Sequence, residues 1–278
     1  MSPNVRVIPQ EKLFVSEPEP EMFGNGSNKI GDPTWSNENW LKSRFHFSFA
    51  EYNEWANSNY GVLRVMNDDL VQPHTGFGAH GHSNMEIITY IVHGSLTHKD
   101  SMGTKESLGR GSIQFMTAGK GVRQTEFNHG DQPLRFIQTW IVPRSPGLKQ
   151  NYGSFCGTNN AGGRKNQLQH LVSNVQDTST STPVEIEQDC DAYAAELDLG
   201  KVVQLEIPKG RMAYLLCIEG GVTVNGKQLA KHDAAEIDGK GGNLVIECTN
   251  VEKTESGEVA HVLLFTMKED ARAGRTDF

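Results

Sequence analysis

Short runs rich in Val, Ile, Thr and aromatic residues, separated by Gly and Asn, make up most of the chain from about residue 60 onward. Runs of this length and spacing are typical of strands in an all-β sandwich or barrel with few helices. The pattern predicts strands at Gly61–Met66, Met85–Val92, Gly94–Thr97, Ile113–Thr117, Leu134–Val142, Val202–Ile207, Met212–Ile218, Gly221–Val224, Ala234–Ile237, Asn243–Glu247 and His261–Met267. We therefore expect an all-β fold.

Two polar, irregular stretches interrupt this pattern, Gly157–Asn166 and Ser173–Pro183. Their composition is that of loops and linkers. A chain of 278 residues has room for two domains of roughly 150 residues each. We predict an N-terminal domain over residues 1–145 that carries the functional site, a linker and loop region over residues 146–190, and a C-terminal domain over residues 191–278.

A faint internal repeat supports this division. Ile88–Gly119 and Ala213–Gly239 share the same order of strand, glycine turn, strand, turn and strand. Two similar small barrels stacked together would explain the repeat. The second copy contains no pair of histidines, so we expect it to lack a metal site.

The net charge of the chain argues against nucleic acids and anionic lipids as partners. Lys and Arg number 26 and Asp and Glu 34, which gives a net charge of -8. Such a protein is repelled by phosphate backbones and anionic lipids. No apolar stretch approaches the roughly 20 residues that cross a bilayer, and the first residues lack the apolar core of a signal peptide. We expect no direct nucleic-acid binding, no membrane association, and a cytoplasmic location with the nucleus as an alternative.

The cysteines predict no metal or redox motif. Cys156, Cys190, Cys217 and Cys248 are far apart and form no CxxC pair. We expect reduced thiols, with Cys217 and Cys248 in the core because both lie in apolar, strand-like runs.

The densest chemical signal is GFGAHGHSNME, Gly76–Glu86, which contains His80 and His82. Alternate residues of a strand share a face, so both imidazoles can face one barrel interior and bind one metal ion. The alternative stays open that the pair is a chance pair on a solvated surface, since the chain has ten histidines.

A second cluster, Thr117–Asn128, places Gln124 and Glu126 at the same alternate spacing. A bend there would aim both side chains into the interior that receives His80 and His82. Two histidines and one carboxylate form the set that binds non-haem Fe(II) with open coordination positions. The alternative is that Glu126 is a solvated carboxylate at a strand end.

The chain at this point resembles the pirin family of the cupin superfamily. The resemblance is carried by SRFHFSFAEY (Ser43–Tyr52), GVLRVMNDDLV (Gly61–Val71), GFGAHGHSNMEIITYIVHGSLTHKDSMG (Gly76–Gly103) and GSIQFMTAGKGVRQTEFN (Gly111–Asn128). Residues 129–150 are similar at lower density. The second half is similar to a degenerate C-terminal cupin only in outline.

The resemblance implies two stacked cupin barrels with one mononuclear metal, usually iron, in the N-terminal barrel. Fe(II) is the expected cofactor and another divalent transition metal the alternative. The family's ligands are two histidines of an HxH motif and a His and a Glu of a second motif. They carry over onto His80, His82, the position of Gln124, and Glu126.

Gln124 departs from the family pattern, because a neutral amide oxygen is a weaker ligand than an imidazole. By strand alternation its neighbour Arg123 should face outward. We expect His74 and His93 to be exposed to solvent and His98 to be a structural hydrogen-bonding residue. The role of Glu86 stays open.

The resemblance implies quercetin 2,3-dioxygenase-like activity on a small aromatic, flavonol-like substrate, with Glu126 as the general base and catalytic residue. Phe45, Phe47 and Phe77 are candidates for an apolar wall. An alternative is a regulatory protein whose metal state controls contact with a transcription factor or a metabolic enzyme. A basic patch would support it, formed by Lys99, Lys105, Arg110, Lys120 and Arg123. A third hypothesis is a metal-free relative that binds a small molecule. We expect a monomer.

Overall fold

The computed structural model of the chain describes residues 2–26 and 39–269. Within these ranges the regular structure is almost entirely β, which confirms the predicted fold class. The helical segments are short 3-10 turns at Gln10–Lys12, Met22–Gly24, Trp55–Asn57 and Thr158–Gly163. No helix in the described residues is both long and apolar enough to cross a membrane.

The described residues form two compact units, and the first unit comprises residues 14–26, 39–58 and 63–159. Its strands are β2 (Phe14–Ser16), β3 (Leu41–Phe45), β4 (Leu63–Val71), β5 (Gly76–His82), β6 (Glu86–His93), β7 (Leu96–Asp100), β8 (Lys105–Leu108), β9 (Ile113–Thr117), β10 (Val122–Phe127), β11 (Leu134–Ile141) and β12 (Asn151–Phe155). They form one sheet in the order β12-β9-β6-β11-β4-β3-β2 and another in the order β5-β10-β7-β8.

The second unit comprises residues 2–13, 59–62 and 160–269. Its strands are β1 (Val5–Ile8), β13 (Gln169–Asn174), β14 (Val184–Ile186), β15 (Cys190–Leu197), β16 (Val202–Ile207), β17 (Arg211–Glu219), β18 (Gly221–Val224), β19 (Lys227–Ala230), β20 (Ala234–Ile237), β21 (Gly242–Asn250), β22 (Glu252–Thr254) and β23 (Gly257–Lys268). One sheet has the order β1-β20-β17-β23-β15-β13-β14, with β22 paired to β23, and the other has the order β16-β21-β18-β19.

The two units share the strand pairing that the repeat predicts. In the first unit β6 pairs with β9 and β7 with β8, and in the second β17 pairs with β20 and β18 with β19. The repeats also align at one turn, where Gly94 and Gly220 have φ angles of 76° and 70°. A Cβ atom on either glycine would lie within 3 Å of a backbone oxygen, so only glycine fits both turns.

The units differ in three places from the domain limits that the sequence pattern suggests. Residues 2–13 lie in the second unit, because β1 pairs with β20 at the edge of its sheet. Residues 59–62 also belong to that unit. Residues 146–190 are not an irregular linker, since they contain β12, which pairs with β9, and the parallel pair β13 and β14. β14 alternates buried Val184 and Ile186 with exposed Glu185 as a strand does, within a segment that is polar overall.

The second unit has a large apolar core cluster. Its core cluster consists of Ala, Val, Leu, Ile and Cys side chains, including Cys217 and Cys248 as predicted. The four cysteines all lie in the described residues and form no disulfide bond there, and Cys156 is exposed.

The interior of the first unit is divided into layers. One apolar cluster contains Ile91 and Phe136, and another contains Ile87, with Trp140 packed against it. Between them, on the same face of the same strands, lie buried polar residues. We call Asn67, Gln138, Thr89 and Gln114 the polar belt.

Strand register explains the belt. Gln138 pairs with both Asn67 and Thr89, and Thr89 pairs with Gln114, so the four residues lie side by side across β4, β11, β6 and β9. When the two units are aligned at their glycine turns, the equivalent positions in the second unit are Tyr193, Leu264, Leu215 and Ala235. At these four positions the first unit therefore has polar side chains, whereas the second has Tyr, Leu, Leu and Ala.

Candidate functional site

Pairing of β5 with β10 brings the four predicted site residues together. Gln124 pairs with His80, and the register then shifts so that Glu126 pairs with Phe77. This irregularity is the bend that the sequence analysis expected near Gln124. Gln124 and Glu126 are both 2 % exposed, while His80 and His82 are half-buried.

The side-chain nitrogen of Gln124 is the common neighbour of the other three groups. It lies 3.5 Å from Nε2 of His80, 3.2 Å from Nε2 of His82, and 3.2 Å from Oε2 of Glu126. The two imidazole rings are perpendicular, with centroids 4.8 Å apart. Two aromatic nitrogens and one carboxylate oxygen thus converge on one atom.

Both imidazoles are held in the neutral form. Burial lowers the pKa of His80, against a hydrogen bond of 2.7 Å between its Nδ1 and the carbonyl oxygen of Gly78. Because that carbonyl can only accept, Nδ1 carries the proton and the lone pair of Nε2 faces the site. Burial, together with the neighbouring His80, lowers the pKa of His82 to about 4.

Glu126 is a buried carboxyl supported by the polar belt. Gln138 donates to its Oε2 over 2.9 Å, and Thr89 lies 3.3 Å from its Oε1. Burial raises its pKa to about 7, although the hydrogen bonds from Gln138 and Thr89 act to lower it. Glu126 therefore exchanges its proton near neutral pH.

The belt continues away from the site through Gln114. Its Nε2 lies 3.4 Å from both Oγ1 of Thr89 and Nδ1 of His98. His98 is fully buried, contacts Asp100 through Nε2 at 3.1 Å, and stacks on Tyr152. These contacts agree with the structural role expected for His98.

Sequence motifs did not reveal Thr89, Gln114 or Gln138. The sequence contains one weaker sign of a polar interior. Thr89 lies between Ile87 and Ile91 as a polar residue on an otherwise apolar strand face. A polar residue at a core position of this kind is expected only where it has a function.

A cavity of about 340 Å³ opens beside these groups, within the roughly 300–1,000 Å³ typical of small-molecule sites. His80, His82, Glu126 and Gln138 line it. Phe45 and Phe77 form part of its wall as predicted, and the other aromatic members of the wall are Phe23, Trp40, Phe49 and Trp140. The expectation for Phe47 is wrong, because its side chain is buried in the protein and does not line this cavity.

Two polar residues of β4, Asn67 and Asp69, also line the cavity. Ser43 donates a hydrogen bond to Asp69. Burial raises the pKa of Asp69 to about 8, opposed by the Ser43 hydrogen bond and reinforced by Asp68 and Glu126. At neutral pH this carboxyl is therefore largely protonated and can donate a hydrogen bond.

Residues 17–26, which we call the strap, contribute the outer wall. Phe23 lies over the site, with ring centroids 5.8 Å from His80 and 5.9 Å from Phe77, although 44 % of the residue is exposed. Its φ of 60° is uncommon for an aromatic residue. Asn25 fixes the strap by hydrogen bonds to both backbone polar groups of Gly76.

The remaining charged residues lie outside this arrangement. Arg123 is exposed, as alternation predicts, and donates to the carbonyl oxygen of Ala79. His74 is exposed and contacts Asp131, whereas His93 is half-buried. Glu86 is buried and accepts a hydrogen bond from Thr117.

The predicted basic patch needs one correction. Arg110 is 4 % exposed and donates to the carbonyl oxygen of Val92, so it contributes no surface charge. Lys99, Lys105, Lys120 and Arg123 are exposed.

The chemistry of the donors fits a divalent transition metal, since imidazole nitrogen and carboxylate oxygen are ligands of such ions. In this structure the donor atoms are farther apart than metal coordination requires. Among residues 2–26 and 39–269, no group of three or more His, Cys, Asp or Glu side chains is close enough to hold a metal ion. The amide nitrogen of Gln124 lies between the three donors.

Comparison with known proteins gives matches along both units. The family model named Pirin matches residues 28–141, and the model of the quercetinase C-terminal cupin domain matches residues 171–267. A pirin-like protein of Caulobacter vibrioides is 39 % identical over 216 residues, which cover 78 % of this chain and 90 % of the relative. The quercetin 2,3-dioxygenase of Escherichia coli K12 is 32 % identical over 210 residues, covering 75 % and 87 %.

Solved structures with a similar fold also include pirins. YhhW of Escherichia coli has a TM-score of 0.75 at 26 % identity, over 96 % of this chain and 99 % of that one. The same bacterial pirin in complex with nickel(II) has a TM-score of 0.74 at 25 % identity, over 96 % and 100 %. Sequence and fold both lead to one assignment: this chain is a bicupin and belongs to the pirin family.

Proposed function

We propose that the first unit is the site of a metal-dependent oxidoreductase of the quercetin 2,3-dioxygenase type, which acts on a small aromatic, flavonol-like substrate. His80, His82 and Glu126 are the proposed ligands, with Gln124 at the fourth position. The observation that carries the proposal is the convergence of two imidazole nitrogens and one carboxylate oxygen beside an aromatic cavity. Fe(II) or another divalent transition metal is the proposed cofactor, and the nickel(II) complex of a related pirin supports a divalent ion.

The bound metal would supply Lewis-acid stabilisation of a deprotonated substrate hydroxyl. Substrate binding, the exclusion of water and proton transfer are assigned to residues of the chain. Aromatic walls bury a planar ring and exclude water. Glu126 is the proposed general base, because its carboxyl lines the cavity beside the two imidazoles.

In this proposal Glu126 would have two tasks, to bind the metal and to accept the proton of the substrate. The cavity offers two further carboxyl groups, Glu51 and Asp69. Asp69 is largely protonated at neutral pH, which favours donation of a hydrogen bond to a substrate oxygen. Glu51, which is exposed and accepts a hydrogen bond from Ser16, is the alternative acceptor for the proton.

The test is metal content followed by oxygen uptake. Chelator-treated protein is loaded with Fe(II) without oxygen, or with nickel(II), then desalted and analysed for metal. We expect near-stoichiometric metal in the wild type and in His74→Ala, a control at an exposed histidine outside the cavity. His80→Ala and Glu126→Gln should lose it. Equal metal content in all four proteins would refute the site.

Oxygen uptake with quercetin then separates the functions. Uptake that requires the metal supports the oxidoreductase, whereas tight flavonol binding without uptake supports the small-molecule-binding alternative. The regulatory alternative rests on the family resemblance and on a basic patch that no longer includes Arg110. Cytoplasmic location and the monomeric state stay predictions.

A further inference from the structure

The amide of Gln124 occupies the point on which three acceptors converge. Its nitrogen lies between 3.2 and 3.5 Å from Nε2 of His80, Nε2 of His82 and Oε2 of Glu126. At His80 the acceptor is defined, because Nδ1 of that ring contacts the carbonyl oxygen of Gly78. Glu126 accepts a further hydrogen bond from Gln138.

The orientation of the amide follows from its neighbours. An amide nitrogen donates two hydrogen bonds, while an amide oxygen only accepts. With the oxygen turned inward, lone pairs would face the lone pairs of His80 and Glu126. The nitrogen therefore belongs at the centre, where its two hydrogens are shared among three acceptors.

The backbone of Gln124 is fixed by strand pairing, and its side-chain amide contacts the site residues His80, His82 and Glu126. Gln124 pairs with His80 of β5 and with Asp100 of β7, so β10 is fixed on both edges. The three partners of the amide are themselves site residues, and they are too far apart to hold a metal ion while the amide lies between them. Rotation of one side chain is the smallest movement that would let the donors approach one another.

We propose that the side-chain amide of Gln124 holds the place of the divalent metal, and that the metal binds by displacing this amide rather than by taking it as a fourth ligand. The inference rests on the proposed function, since it requires a divalent metal at His80, His82 and Glu126. Gln124 then acts as a positioning residue: it keeps the donors oriented without the metal and competes with the metal for them.

The two roles of Gln124 make opposite predictions for its removal. If Gln124 is a ligand, Gln124→Ala removes a metal bond and weakens affinity. If Gln124 is a competitor, Gln124→Ala removes hydrogen bonds that the metal must break, so affinity rises. We expect about a tenfold gain, which corresponds to one or two net hydrogen bonds. The same variant should lower the melting temperature of the metal-free protein.

The experiment measures nickel(II) affinity by competition with a chromophoric chelator and, separately, the melting temperature of the chelator-treated full chain. The variants are Gln124→Ala, Gln124→Asn, whose amide is one methylene too short to reach the centre, and Gln124→His, which supplies an imidazole. Thr125→Ala is the matched control, because this neighbour pairs with Lys99 and does not line the cavity. Gln124→Asn keeps the test decisive if the alanine variant does not fold.

Tighter nickel(II) binding by Gln124→Ala or Gln124→Asn than by the wild type, with Thr125→Ala unchanged, supports displacement. Weaker binding by both shows that Gln124 is a ligand and overturns the inference, while the proposed metal site survives. Absence of binding by every protein, Gln124→His included, overturns the metal site of the proposed function and the displacement with it.

Discussion

Gln138 joins the candidate site to the interior of the barrel. Its amide donates to Oε2 of Glu126 and its oxygen accepts a hydrogen bond from Thr89 over 2.6 Å. Residues that orient a ligand typically change metal affinity or activity by about 10–100-fold when they are removed. Gln138→Leu should therefore weaken nickel(II) affinity within that range.

A control lies next to Gln138 in the same strand. Thr139 is buried, and its hydroxyl has no hydrogen-bond partner among the described residues. Thr139→Val keeps the shape and should leave nickel(II) affinity unchanged in the chelator competition. Equal losses in Gln138→Leu and Thr139→Val would show that general packing of β11, rather than orientation of Glu126, matters.

Asp69 should make stability depend on pH. Burial raises its pKa from 3.8 to about 8, so the folded state binds its proton more tightly than the unfolded chain does. This contribution to the free energy of unfolding is complete below about pH 4 and is lost as pH rises through about 8. Asp69→Asn should remove it, and the slope removed is at most about 1.4 kcal/mol per pH unit.

Denaturant titrations at pH 5, 6.5 and 8 measure this effect. Asp69→Asn should gain stability relative to the wild type as pH rises, since the amide can still accept from Ser43. Asp131→Asn, at an exposed carboxylate, is the control. Parallel curves for Asp69→Asn and the wild type would contradict the assignment.

The grouping of the four candidate ligands could be predicted from the sequence, and the residues that surround them could not. His80, His82, Gln124 and Glu126 lie in two short segments whose spacing is visible in the chain. The polar belt is assembled from four strands by register alone. Arg110 could not be distinguished from the exposed basic residues, because a buried guanidinium and an exposed one look alike in a sequence.

At the scale of elements, the apolar strands were predictable. Ile113–Thr117, Val202–Ile207, Gly221–Val224 and Ala234–Ile237 agree with the structure at both ends. The two strands that carry the candidate site are not visible as apolar runs. β5 (GFGAHGH) and β10 (VRQTEF) lack apolar alternation, because their inward positions carry chemistry instead of core packing.

Gly76 determines how closely β5 and β10 approach. A Cβ atom there would lie 2.3 Å from the backbone oxygen of Glu126 and 2.6 Å from Cα of Phe127. Gly76→Ala must therefore push the strands apart at Glu126. We expect a loss of about 1–3 kcal/mol in the free energy of unfolding, as for other overpacked sites.

Gly81 of the same strand is the matched control. A Cβ atom there meets nothing closer than the oxygen of Val122 at 3.9 Å. Gly81→Ala should keep the wild-type denaturation midpoint and nickel(II) affinity, while Gly76→Ala lowers both. Wild-type behaviour of Gly76→Ala would mean that the pairing of β5 with β10 does not position Glu126.

At the scale of the whole molecule, one strand order builds two barrels with different interiors. Thr89, Gln114 and Gln138 in the first unit correspond to Leu215, Ala235 and Leu264 in the second. The core cluster of the second unit consists of apolar side chains, whereas the interior of the first unit contains buried polar groups. The repeat was visible in the sequence because turn glycines and strand lengths are local features.

The division of the chain between units was less predictable, because β1 lies far in sequence from its partner β20. Val5 and Val7 of β1 pack against the core of the second unit. The double variant Val5→Ala and Val7→Ala should therefore destabilise that unit by about 1–2 kcal/mol. Hydrogen exchange should become faster in β20 and remain unchanged in β5 and β10. Val15→Ala, at an exposed valine of β2, is the control, and unaltered exchange in β20 would show that β1 adds no stability.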